Sequence, residues 1–110
     1  MGLTQNLETL EGLEVAEIND AVSIDYWFKR NGVFEEREDG YYYLVKREQL
    51  ENLKDLCLET LARPTHIREN FPTGDFAVLS QLAKEVELGL EFVTNALCNS
   101  DSEIFLYSGC

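Results

Sequence analysis

Between Arg47 and Ala62 the apolar residues recur at helical spacing. Leu50, Leu53, Cys57 and Leu61 share one stripe, Leu56 and Leu58 flank it, and Glu48, Glu51, Asp55 and Glu59 lie opposite. This predicts an amphipathic helix, stopped by Pro64. Residues 41–45, just before it, have strand composition. Their alternation puts Tyr41, Tyr43 and Val45 on one face and Tyr42 and Leu44 on the other. Strand and helix are therefore expected to join with almost no loop. A longer stripe of Leu79, Leu82, Val86, Leu90, Val93 and Leu97 predicts a helix over residues 76–98. Leu88 and Phe92 stand outside that stripe, beside Gln81 and Glu85. They mark either a helix buried on two sides or an exposed patch for a partner. Residues 99–102 end the helix, and residues 103–107 read as a final strand.

Toward the N-terminus the pattern is weaker. Over residues 14–32, Val15, Ile18, Val22 and Tyr26 fit one helical face, and Ala21, Ile24 and Phe28 form a strip beside it. A first helix is expected there, with Gly32 as C-cap and Lys29 and Arg30 suiting the dipole in its last turn. Residues 1–14 read as a loosely ordered acidic segment with Leu3, Leu7, Leu10 and Leu13 as anchors. Residues 33–40 read as a polar connection with a turn at Asp39-Gly40. Residues 64–75 read as a loop, with a short extended piece at Phe71 and Thr73 or Asp75 capping the long helix. The expected fold is α+β: three helices packed on a two- to three-stranded antiparallel sheet, with residues 15–110 as a single domain.

Charge adds what the apolar pattern leaves out. The formal net charge is −12 over 110 residues, and it is unevenly placed. Residues 29–68 hold eight acids and eight bases, which cancel. Residues 1–28 hold six acids and no base, and residues 69–110 hold seven acids against Lys84 alone. Such a field repels nucleic acid and anionic membrane and attracts basic protein surfaces. No apolar run approaches the ~20 residues of a membrane span, and the first residues lack the basic and apolar regions of a signal peptide. Cys57, Cys98 and Cys110 are odd in number and widely spaced. That fits a reducing, cytoplasmic setting, with Cys57 as a small buried hydrophobe and Cys110 open to adventitious oxidation.

The catalytic alphabet is sparse. No metalloprotease, dinucleotide, phosphate-loop, serine-hydrolase or calcium-loop pattern occurs. No cofactor or metal is expected, and the chain does not read as an enzyme. His66, the sole histidine, lies in a loop near Arg68 and Glu69 without a nucleophile at recognisable spacing. The residues that stand out are acids. Glu8, Glu11, Glu14, Glu17 and Asp20 recur every third position, a spacing that drifts around a helix and alternates faces on a strand. Glu85, Glu87 and Glu91 punctuate the long helix.

Several of these pieces form a pattern. Ala21, Ile24, Trp27 and Phe28 make Ala-x-x-Ile-x-x-Trp-Phe, the Tyr/Val strand runs into Arg-Glu-Gln-Leu at Arg47 to Leu50, Phe71-Pro72-Thr73 precedes the long helix, and the chain closes with "IFLYSGC". Over residues 15–110 this resembles a family of small, uncharacterised acidic proteins of phages, prophages and bacterial mobile elements. Two features depart from it. Lys46 stands where the family has an N-capping serine, and the aromatic loop after Pro-Thr is shortened to "GDF". The resemblance implies a mobile-element setting and no known chemistry. With the acidity and small size it leads to one expectation: an inhibitor that blocks a host nucleic-acid-handling defence protein of the anti-CRISPR or anti-restriction type. Its contacts are expected from Glu8, Glu11, Glu14, Glu17 and Asp20, from Glu85, Glu87 and Glu91, or from Leu88 and Phe92. The partner would be a basic protein surface, without direct nucleic-acid or membrane binding. The alternatives are a host regulatory or structural dimer, and a ligand-binding module or enzyme around His66 and Tyr41–Tyr43.

Overall fold

The structure is a computed structural model, and it describes residues 2–72 and 78–110. Among these residues ten stretches of regular structure follow one another. Strands β1 (Thr4–Thr9) and β2 (Glu14–Asn19) form a hairpin, followed by helix α1 (Val22–Asn31). Strands β3 (Val33–Arg37) and β4 (Gly40–Lys46) form a second hairpin and lead into α2 (Arg47–Ala62). A 3-10 turn (Pro64–His66), the short α3 (Ile67–Asn70), the long α4 (Leu79–Asn99) and strand β5 (Ile104–Gly109) complete it. The sheet order is β2-β1-β5-β4-β3, and every neighbouring pair is antiparallel. The C-terminal strand thus lies in the middle and joins the two hairpins.

The fold is α+β, as expected, with a larger sheet. Among the described residues five strands replace the expected two or three, and a fourth, short helix joins the three long ones. The strand at residues 41–45 and the helix Arg47–Ala62 agree with the sequence reading. Leu50, Leu53 and Cys57 are fully buried, whereas Glu48, Glu51, Asp55 and Glu59 are exposed. The proposed caps Thr73 and Asp75, and the expected helix start at Phe76, lie outside the described residues.

The first expected helix is in fact strand, turn and helix. Residues Glu14–Asn19 pair with β1, and the register shifts between Leu7 and Glu8: Leu7 faces Ala16, but Glu8 faces Glu14. Val15 is the extra residue of a β-bulge. Val15 and Ala16 both point into the core, with Ile18 after them. That breaks strict alternation and imitates a helical spacing. Asp20 then adopts φ 62°, and its Oδ1 accepts the Leu3 N–H at 2.7 Å. Val22 and Tyr26, expected inside, are 42% and 43% exposed, while Ile24, Trp27 and Phe28 carry the buried face of α1. Within the segment 1–14, read as loosely ordered, Thr4–Thr9 form strand β1. Leu7 is fully buried, and Gln5 Nε2 donates to Ala21 O (3.1 Å) and to Tyr107 Oη (3.2 Å). The Ala21 N–H donates back to Gln5 Oε1 at 2.8 Å, so the first strand, α1 and the last strand are tied by one side chain. Residues 33–40, expected as a connection, form β3 and a two-residue turn.

The helices cover one face of the sheet. Tyr107 stacks on Phe28 (centroids 4.1 Å apart) and meets Phe92 edge-on at 6.3 Å. Leu7, Val45, Phe105 and Tyr107 belong to this core. Gly89 sits where α4 crosses α1, and a Cβ there would run into Ile24. Gly32 caps α1 with its N–H on Phe28 O (2.8 Å). It is glycine because a Cβ would approach Tyr43 Cβ at 2.8 Å, not because of its φ of −83°. Arg47 holds the C-terminal end of α4. Its guanidinium donates to Leu97 O (2.8 Å), Ser100 O (2.7 Å) and Ser102 O (3.2 Å), satisfying carbonyls the helix leaves open. Lys46 offers no acceptor at the N-cap of α2. Gln49 compensates in part, its Oε1 accepting the Lys46 N–H at 2.8 Å.

Candidate functional site

Residues directly opposite in paired strands project from the same face. The register therefore assigns every strand residue a side. Gln5, Leu7, Tyr107, Tyr43 and Phe34 face the helices. Asn6, Glu8, Leu106, Ser108, Tyr42, Leu44, Val33 and Glu35 face away. Leu106 and Tyr42 are buried yet separate from the helix-side core. They are the middle of an outer face that, among the described residues, no helix covers.

The bulge at Val15 decides what this face carries. Glu8 faces Glu14, and Glu17 faces Asn6, two residues along β1 from Glu8. Three acids at a spacing that should alternate thus project from one side. Asp39, from the other hairpin's turn, joins them. Its Oδ2 accepts the Tyr42 hydroxyl at 2.9 Å. Burial first, then the charges of Asp39 and Glu14, hold the Glu8 carboxyl above its ordinary range, and Arg37 works against them. The bond to Asp39, with burial and the Glu8 charge, raises the Tyr42 hydroxyl. Arg37, paired with Glu35, is the cation at this end of the face. The two hairpins therefore pool their acids across the sheet.

The other expected contact residues divide. Glu11 is exposed in the β1–β2 connection, beside Leu10, Ser102, Glu103 and Ile104. Asp20 is exposed but holds Leu3. Glu87 and Glu91 are exposed on α4 and line a shallow depression of about 250 Å³ with Lys84 and Leu88. They lie opposite the buried stripe Leu82, Val86, Gly89 and Val93, so they point away from the sheet. Leu88 is partly buried against the core.

Two of the expected contacts are internal. Phe92 is fully buried, edge-on to Phe28 at 5.8 Å. The long helix is enclosed on two sides, by α2 and by the sheet with α1, so its buried stripe is wider than a single 3-4 pattern. Glu85 is 6% exposed. Its Oε1 accepts the Ser23 N–H (2.8 Å) and the Ser23 hydroxyl (2.7 Å), and its Oε2 accepts from Gln81 (3.2 Å). Ser23 is in the first turn of α1, whose cap residue Ala21 makes no side-chain cap. Glu85 is therefore an N-cap supplied by another helix, with its charge at the favourable end of the dipole.

A second concave feature lies on the helix side. Lys29, Phe34, Tyr41, Tyr43 and Gly109 line a cleft of about 340 Å³. Phe34 stacks on Tyr41 at 5.8 Å and meets Tyr43 at 5.6 Å. Lys29 Nζ is fixed by Asp25 Oδ2 at 2.9 Å, and Asp25 Oδ1 accepts the buried Tyr107 hydroxyl at 2.6 Å. Burial, then Asp25, pushes the Tyr107 hydroxyl far up. His66 does not line this cleft. It is exposed, with Nδ1 3.2 Å from Glu69 Oε2. Cys57 is buried, and that burial pushes its thiol up to about 12, which makes it inert. Among the described residues no group of three or more His, Cys, Asp or Glu is placed to hold a metal ion, and no helix is long and apolar enough to cross a membrane.

By sequence Asp39 falls in a turn and Tyr42 in the alternative site around His66 and Tyr41–Tyr43, and neither is joined to the acidic series. They bond to each other within one hairpin, but Glu8 lies across β5 from them, in a pairing no local pattern encodes. No family model, curated protein or solved structure matches the chain.

Proposed function

We propose that this chain is a binding protein rather than an enzyme, and that it occupies a basic, nucleic-acid-contacting surface of a protein with the acidic outer face of its sheet. The single observation that supports this reading is the bulge at Val15, which turns Glu14 to the side that Glu8 and Glu17 already share, where Asp39 joins them. A rigid sheet holding several carboxylates at fixed spacing is a better counterpart to a phosphate-binding groove than acids on flexible loops. The finer reading is a phage or mobile-element inhibitor of the anti-CRISPR or anti-restriction type. Its setting rests on the resemblance of the residue 21–28 and 47–50 segments, and its mechanism on the acidic face.

The test is competition. Purified CRISPR effectors and restriction endonucleases are assayed for DNA binding and cleavage with added protein, at low and high salt. Inhibition that weakens with salt and with Glu14→Lys/Glu17→Lys supports the reading. Absence of inhibition across the panel, or inhibition indifferent to that charge reversal, overturns it.

A further inference from the structure

The two edges of the sheet are treated differently. At β2 the bulge interrupts the ladder, α4 packs against the strand, and Asn99 Nδ2 donates to Val15 O at 3.0 Å. These are the usual ways a protein blunts an edge. At β3 the ladder with β4 is regular over all five residues, Val33 to Arg37. Four of the five are exposed, with Val33 at 66% and Phe34 at 55%. Among the described residues no element pairs with the outward side of β3. Each β3 residue presents to one side of the sheet: Val33, Glu35 and Arg37 outward, Phe34 and Glu36 toward the helices.

We propose that the β3 edge accepts an extended segment of another protein as a sixth strand, and that this segment is basic and apolar in alternation. On the helix side it would place an apolar side chain against Phe34 and a lysine or arginine against Glu36. The chemistry follows from what lines the edge. Glu36 and Glu38 are exposed and have no ion pair among the described residues, whereas Glu35 is taken by Arg37. Phe34 continues into the exposed ring of Tyr41, 65% open. Backbone groups give such a strand its affinity, and alternate side chains give its specificity.

A second copy of the chain fits this edge poorly. Two β3 strands related by a two-fold axis must meet same face to same face, so the axis falls on a residue. On Glu35 or Glu36 it sets a glutamate against its own copy, which is destabilising. On Phe34 it draws Gly32 into the ladder, but the Gly32 N–H is already bound to Phe28 O. This edge is at the opposite end of the sheet from β2, so the inference does not depend on the acidic face.

The probe is an end-blocked heptapeptide of threonine at alternate positions, with lysine, valine and lysine between them. Its control is the same peptide N-methylated at alternate residues, which keeps charge and side chains but cannot complete a ladder. Amide-resolved NMR and hydrogen exchange read the result. Shifts and new protection are expected in β3 and β4, with the N-methylated peptide at least about tenfold weaker, since it forfeits several backbone hydrogen bonds. Glu36→Lys, a change at an exposed site, should weaken the parent peptide while Glu17→Lys should not. Equal binding of the two peptides overturns the proposal in favour of charge alone. Protection mapping to the outer face overturns it as well. So does a dimer, seen by sedimentation, whose β3 amides are already protected and which the peptide fails to dissociate.

Discussion

Glu85 shows how far a residue's role departs from its type. An acid on an amphipathic helix beside Glu87 and Glu91 reads as surface, yet its carboxylate closes the first turn of α1. Glu85→Ala should cost about 1–3 kcal/mol, because it leaves the Ser23 N–H and hydroxyl buried without a partner. Glu85→Gln retains an acceptor and should cost less. Urea melts of the two variants check the order; equal losses would mean that packing, not the cap, is what Glu85 supplies. Glu8 is the converse case, a carboxylate held under strain on the outer face. Its raised pKa means that the folded state binds the proton more tightly than the unfolded one. The relative stability from this group is therefore fully present below the ordinary glutamate range and is lost as pH rises through the raised value. Glu8→Gln should stabilise the fold at neutral pH by no more than about 1 kcal/mol, and the gain should vanish in acid below the ordinary glutamate value. A gain independent of pH would contradict the electrostatic cause.

At the scale of elements, legibility follows locality. The strand at residues 41–45 and the helix Arg47–Ala62 are readable because their periodicity is local and their buried faces are continuous. The β1–β2 hairpin is unreadable for two physical reasons. Its pairing with β5 spans nearly the whole chain, and the bulge at Val15 disguises a strand as a helix. Edge strand β3 hides differently: with little of it buried, it shows no alternation. The candidate site suffers more than the fold. The acidic series is visible in the sequence, but only the bulge determines that three of its members share a face. The crossing of α1 and α4 is also invisible locally, since Gly89 reads merely as a weak helix former. There Gly89→Ala would gain helix propensity of up to about 1 kcal/mol, but its Cβ would meet Ile24. Overpacking of this kind costs about 1–3 kcal/mol, so a net loss is expected by thermal melt. The double variant Gly89→Ala/Ile24→Val, which trims the opposing side chain, should recover part of it. A stabilised Gly89→Ala would show that the helices part without penalty.

Among the described residues the charge is not one continuous field, and two of its acidic surfaces lie on opposite sides of the molecule. Glu8, Glu14, Glu17 and Asp39 belong to the sheet's outer face; Glu87 and Glu91 sit on the far side of the helix layer. Even its shortest extent, 21 Å, exceeds two screening lengths of ~8 Å at physiological salt. The two surfaces therefore act independently, and a rigid basic groove engages one of them. Glu14→Lys/Glu17→Lys and Glu87→Lys/Glu91→Lys change the net charge identically, so a partner that senses only total charge would respond to both alike. A partner seated on the outer face should lose affinity sharply with the first pair, mostly in the association rate and most at low salt, and hardly at all with the second. Melting temperatures should move little in either case, because exposed charges contribute at most about 1 kcal/mol each to folding. Surface plasmon resonance of both pairs at two salt concentrations separates the outcomes. Equal losses would reduce the acidity to a general field, and a loss confined to the second pair would move the contact to α4.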